Sequence, residues 1–441
     1  NTTSITRTSA AGSSDAVYGL KSSAGITNAV DATTGKAGSV TIEHHGSGTA
    51  YGLYAAADDS ANETSDAAAG DYALSAGSAN APLWGTEPNA ELSAGKIINE
   101  SGASVRIHSY NGGDAVGIYA GSGISVTNDG SVAISGNAQN AYGIYGAGQN
   151  DITNAGDISV TGENAYGIYV EDGTGTTVTN TETGSITVNS AADGQAHGIF
   201  INQNAADATV NNFGTITVNG ELREGNSGIT LNGAKLRNFS LMSFDGNADL
   251  NALGGKIYLE DGGVYEAQSL KGDLNVGISA VTGSNLDTYT QTDSLRTENA
   301  DELSLASESA LFNASKHKND NGGYDVVLNR RAFNEFTENA SLGQYLEQNY
   351  QEGKLTELYD SVKSETDDFA VRQNIADKTG FDTMLNFADE NFQVLRSLNR
   401  SMADTILKPS DEPYRVLAGY DNFNLETDNK GLLSGYELSS N

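Results

Sequence analysis

The stretch Ala141-Tyr142-Gly143-Ile144-Tyr145 returns unchanged at Ala165 to Tyr169. Looser copies stand at Val17 to Leu20, Ala50 to Tyr54, Ala115 to Tyr119, Ala196 to Phe200 and Asn226 to Thr230. Their glycines are Gly19, Gly52, Gly117, Gly143, Gly167, Gly198 and Gly228. The spacing, roughly 24 to 33 residues with one doubled gap, is that of a solenoid. A single repeat cannot bury its apolar face, so neighbouring repeats must stack.

A second pattern follows each copy: aliphatic-x-Asn, a turn, then alternating aliphatics, as in Ile152-Thr153-Asn154-Ala155-Gly156-Asp157-Ile158-Ser159-Val160. It generates an asparagine column of Asn28, Asn99, Asn128, Asn154, Asn180, Asn212 and Asn238. The aliphatics alternate with Ser, Thr and Asp, which is the period of half-buried strands. Asparagines stacked at one turn can hydrogen-bond along the stack. Glycine supplies either a positive φ or room for close approach. These features predict a mostly β chain: a right-handed parallel β-helix over residues 1 to 255. Ile144, Ile168 and Ile199 are expected to point inward, and the aromatic after each such residue outward. The outward stripe of Tyr119, Tyr145, Tyr169 and Phe200 is a candidate binding surface for a glycan or protein partner, set against simple stacking between coils. The doubled gap hides an insertion, about residues 55 to 92, that holds Trp84, a further candidate contact.

With 441 residues and no cysteine, the chain has no disulfide framework, so its stability must come from stacking. The net charge of −33 repels nucleic acid, and no nucleic-acid partner is expected. No apolar run is long enough for a transmembrane helix. The start at Asn1, without a signal peptide, reads as that of a fragment or processed product.

Beyond about Asn247 the glycine pattern ends. Residues 256 to 331 read as a capping region, with strands at Lys256 to Leu259, Val276 to Val281 and Tyr324 to Leu328, and with Asp301 to Asp320 polar and poorly periodic. Residues 332 to 412 read as a helical linker. Leu342, Tyr345, Leu346 and Tyr350, then Leu355, Leu358, Tyr359 and Val362, take helical spacing, and the longest helix is expected from Phe381 to Leu407. Residues 413 to 441 alternate again, in Arg415 to Phe423 and Gly431 to Leu438, as two strands of an incomplete sheet.

These parts, in this order, resemble a Gram-negative autotransporter of the type V secretion class. The stretch from Asn391 to Arg400 followed by Tyr414 to Tyr420 is similar to the linker helix and first barrel strand of autotransporters whose passengers often carry a subtilisin-like protease. The resemblance implies a surface-displayed passenger stalk with an adhesin or display role, a virulence context, and residence at the cell surface or outer membrane, or secretion after cleavage. Its implied partners are its own outer-membrane β-barrel, the outer-membrane assembly machinery, and a host surface protein or glycan. The alternatives are the stalk of a protease whose catalytic domain lies upstream of residue 1, and a polysaccharide-active β-helix.

Within the chain itself no catalytic residue, cofactor or metal site is expected. His44-His45-Gly46-Ser47-Gly48-Thr49 resembles one subtilisin motif superficially, but no Gly-Thr-Ser-x-Ala serine turn exists. A metal at His44 and His45 would need help from a carboxylate such as Glu43. His197 shares the column of Tyr142 and Tyr166 and reads as a structural substitution. Acidic residues are scattered, and a lyase or glycosidase grouping is not evident.

Overall fold

The computed structural model describes residues 4–23, 25–56, 95–190, 194–222, 229–337 and 339–379. These form two compact units. The first comprises the chain through Ala280 together with Thr288–Glu308 and Asn313–Asn329; the second comprises Val281–Asp287, Ser309–Phe312 and the chain from Arg330 onward.

The first unit is a parallel β-helix. One coil consists of the strands Ser131–Gly136, Asn140–Gly146 and Asp151–Asn154, and the next of Asp157–Gly162, Asn164–Asp172 and Thr177–Asn180. Each strand pairs in parallel with the strand three places along, so the coils make three ladders. Main-chain donors and acceptors are thereby satisfied by the coils above and below. The ladders are a Ser/Thr face, a tyrosine face and an asparagine face. Their inward residues form unbroken aliphatic files. Val105, Val132, Ile158, Ile186 and Ile216 occupy the first, Ile118, Ile144, Ile168 and Ile199 the second, and Val126, Ile152, Val178 and Val210 the third; all are buried. The period-two pattern puts one methyl-rich side chain at each of these places, so the stack fills its own interior.

Register explains the doubled gap. Ala50–Ala55 pairs directly with Ala115–Ala120, and Ile26–Asn28 with Lys96–Asn99. The extra residues therefore leave a single coil at the corner between its tyrosine and asparagine faces. Residues 57 to 94, Trp84 among them, lie outside the described residues, as do Gly228, the predicted helix Phe381 to Leu407 and the strands at 413 to 441.

The capping region differs from its sequence reading at three places. Parallel stacking does not stop near 255: Lys256–Leu259, Val264–Glu266, Ser269–Val276 and Leu303–Ser307 continue the ladders. Val276 closes a strand rather than opening one, because the chain turns at Gly277, whose backbone lies against the Glu260 carboxylate. The polar segment Asp301 to Asp320 holds two strands, Leu303–Ser307 and Phe312–Lys318. The first is held by main-chain pairing to Gly272–Val276 and needs only one inward Leu303. Pairing turns antiparallel where Thr288–Arg296 meets Tyr324–Arg330.

In the second unit, three helices follow one another: α1 (Ala340–Gln351), α2 (Thr356–Lys363) and α3 (Asp368–Thr379). Asn339 caps α1 by accepting from the amides of Ser341 and Leu342. Helical spacing alone would join α1 to α2, but Gly353 (φ 67°) and Leu355 (φ 59°) break the chain between them. Leu346, Tyr350, Leu358, Tyr359 and Val362 are buried, whereas Tyr345 is exposed. The Arg330 guanidinium lies 4.4 Å from the Tyr350 ring centre and 5.1 Å from that of Phe333. It also pairs with Asp287 at 2.8 Å and Glu347 at 2.7 Å. No helix among the described residues is long and apolar enough to cross a membrane.

Candidate functional site

The tyrosine face carries two outward aromatic columns, where only the stripe of Tyr119, Tyr145, Tyr169 and Phe200 was expected to face out. Tyr54, Tyr119, Tyr145, Tyr169 and Phe200 point outward, half-buried, with successive ring centres 4.6, 5.3, 5.0 and 5.0 Å apart and ring planes nearly parallel. Beside them Tyr18 stacks on Tyr51 at 5.1 Å, and Tyr142 on Tyr166 on His197 at 5.0 and 5.3 Å; Val116 stands between the two groups. Edge-to-face contacts lock one column to the other, such as Tyr142 with Tyr145 at 5.2 Å and Tyr166 with Tyr169 at 5.4 Å.

Strict alternation backward from Ile144 would turn Tyr142 inward. It points outward because Gly143 is an extra residue that takes no part in the ladder: Tyr142 pairs with Tyr166 and Ile144 with Ile168, with the glycines passed over. The two tyrosines flanking that glycine were the available signal. The repeat glycines among the described residues do not serve a left-handed backbone; positive φ values occur at corner glycines such as Gly102, Gly112 and Gly123. Instead there is no room for a Cβ. One added to Gly143 would lie 2.5 Å from both the Gly167 carbonyl oxygen and Ile158 Cγ2, and one on Gly52 only 2.2 Å from Val105 Cγ1. Close approach, coil upon coil, is the reason for the glycine file.

Stacking occupies the ring faces, so a ligand on this surface meets ring edges and hydroxyls. The Tyr145 hydroxyl donates to Glu171, and Asn202 Nδ2 donates to the Tyr169 hydroxyl at 3.2 Å. Burial pushes the Tyr119 phenol up to about 12, with Tyr54 and Tyr51 adding to the effect. Tyr145 is raised further, by burial first and then by Glu171. His197 is 3% exposed, and burial among the rings holds its pKa down at about 4.

The His44–His45 pair is used locally. His44 Nε2 faces the Gly48 carbonyl at 2.8 Å, which places the ring proton there. Its Nδ1 then accepts from Ser9 Oγ at 3.1 Å. That pairing alone is the start of a nucleophile–base arrangement. However, Ser9 Oγ also accepts from the amides of His45 (2.7 Å) and Gly46 (3.0 Å), and Ser9 is 6% exposed. Its lone pairs are committed and no substrate can reach it. His45 stacks on Tyr110 at 4.1 Å, and Tyr110 donates to Glu43 at 2.7 Å, so that carboxylate is engaged as well. Among the described residues no group of three or more His, Cys, Asp or Glu side chains is placed to hold a metal ion.

The asparagine column forms a buried ladder. Nδ2 of each donates to Oδ1 of the next: Asn28 to Asn99 (2.8 Å), on to Asn128 (2.7 Å), Asn154 (2.7 Å), Asn180 (2.8 Å), Asn212 (2.8 Å) and Asn238 (2.8 Å). The next residue in register is Leu259, and the ladder ends with Asn238 donating to the Val264 carbonyl at 3.2 Å. Beside that end, Arg237 lies 4.4 Å from the Tyr258 ring centre and pairs with Glu260 and Glu308.

No protein-family model, curated protein or solved structure matches this chain.

Proposed function

We propose that the chain is the passenger stalk of an autotransporter, displayed on a Gram-negative cell surface or released from it. Its role is adhesive or display, and it is non-catalytic. Its partners are its own outer-membrane β-barrel, the outer-membrane assembly machinery, and a host surface protein or glycan.

The observation that carries this reading is the way the coils are joined. Main chain, aliphatic file, asparagine ladder and aromatic columns all bond one coil to the next. Such a rod can add one coil at a time as chain becomes available, without a disulfide to close loops during passage. The order of parts in the sequence, with helix and barrel-like strands after the coils, supports the same assignment.

The test is to join the chain to a complete outer-membrane barrel, express it in a Gram-negative host, and treat intact cells with external protease. The stalk is expected to be cut from intact cells. Cleavage only after the outer membrane has been permeabilised would overturn the proposal.

A further inference from the structure

Lys363, in the last turn of α2, is the one lysine among the described residues that is buried, its side chain 1% exposed. Its Nζ donates to the Ser284 carbonyl, to Asp360 Oδ1 at 3.1 Å and to Asn285 Oδ1 at 3.4 Å. The Asn285 amide is held from its other side, where Nδ2 donates to the Tyr350 carbonyl at 3.0 Å. Asp360 is fixed in turn by the Gly283 amide at 3.1 Å. The Tyr350 ring, 5.8 Å from Nζ, packs against Tyr359 at 5.0 Å and walls the site. An amine, a carboxamide and a carboxyl group therefore meet at a half-dry point between residues 78 positions apart.

We propose that Lys363 and Asn285 join spontaneously in an intramolecular isopeptide bond, with Asp360 carrying the proton. Lys363 is buried while Asp360 keeps an open side, 39% exposed, and a proton passed along the Nζ–Oδ1 hydrogen bond of 3.1 Å leaves a neutral amine facing Asn285. The Nζ lone pair of the neutral amine adds to Asn285 Cγ while protonated Asp360 hydrogen-bonds Oδ1. A proton leaves Nζ and reaches Nδ2 by way of Asp360. The Cγ–Nδ2 bond breaks, ammonia departs, and Nζ and Cγ remain joined as an amide. One amine and one carboxamide give one secondary amide and one ammonia, with no oxidant or cofactor. Holding the groups in contact replaces the activation that such a reaction needs between free molecules. The bond ties Val281–Asp287 to α2.

The experiment is mass spectrometry of the purified, folded full chain after unfolding in denaturant. The wild type is expected to be lighter than its sequence mass by one ammonia. Digestion is expected to yield a branched peptide joining Asn285 to Lys363, with no tryptic cleavage after Lys363. Lys363→Met and Asn285→Ala should each restore the full mass, and Asp360→Asn should lower the cross-linked fraction several-fold. A wild type of full sequence mass that trypsin cuts after Lys363, even after prolonged storage, would mean that Lys363 is simply an ammonium holding three oxygens. Loss of ammonia without the branched peptide would mean a succinimide, and would also sink the proposal. Full cross-linking in Asp360→Asn would remove the assigned role of Asp360.

Discussion

His197 shows how one side chain can make the stack sensitive to acid. It replaces a tyrosine in the inner aromatic column, between Tyr166 and Phe200. Its folded pKa of about 4 lies below the ordinary 6.5 because burial disfavours the charged ring. The unfolded chain therefore takes up the proton first. The contribution to stability is complete above about pH 6.5 and falls away as pH drops towards 4, by which point about 3 kcal/mol has been lost. Wild type and His197→Phe should thus diverge between pH 7 and pH 4 in urea denaturation, the variant losing less. Identical pH dependence of the two would show that the imidazole is not a titrating group of the fold. The sequence placed this histidine in the tyrosine column but gave no sign of how dry that column is, since burial there depends on the neighbouring coil's Tyr166 and its own coil's Phe200.

Among the elements, the asparagine ladder was the most legible in advance, and all its seven members fall where the column placed them. The reason is physical: a buried amide must find a partner, and identical coils offer the same amide one rise away. The second tyrosine column was less legible, because period two breaks at an unpaired glycine. The strand Leu303–Ser307 was missed because main-chain pairing rather than an apolar pattern holds it. The ladder also makes a sharp prediction. Replacing Asn154 by Ala strands a donor of Asn128 and an acceptor of Asn180 in the interior, at a cost of about 3–5 kcal/mol. Asn154→Asp should cost more, because the carboxylate cannot donate to Asn180 and its charge is buried. Denaturant titrations check this, and a loss below 1 kcal/mol for both would mean that the ladder merely decorates the coil.

Across the first unit, the coils on either side of the insertion keep the register of those that have none. Replacing residues 57 to 94 with a corner as short as Gly121–Ile124, which links Ala115–Ala120 to Ser125–Asn128, should leave the unfolding midpoint almost unchanged. A large loss, measured by thermal unfolding, would mean that the inserted residues brace the coil. The repeats pointed to stacked coils and gave their spacing, and the lack of cysteine left stacking as the source of stability. The end of the parallel stacking was not legible, because beyond Asn251 the ladders continue on residues that no longer repeat.

The aromatic columns also make the molecule optically distinctive. Rings about 5 Å apart pass electronic excitation to one another much faster than they emit. Light absorbed by Tyr54 can therefore leave from Tyr169, three coils away, with its polarisation kept along the nearly parallel rings and turned only where excitation crosses to the perpendicular rings of the second column. Depolarisation of tyrosine emission would then report contact between the two columns and fade as the coils part, so the protein carries its own reporter of whether neighbouring coils are seated.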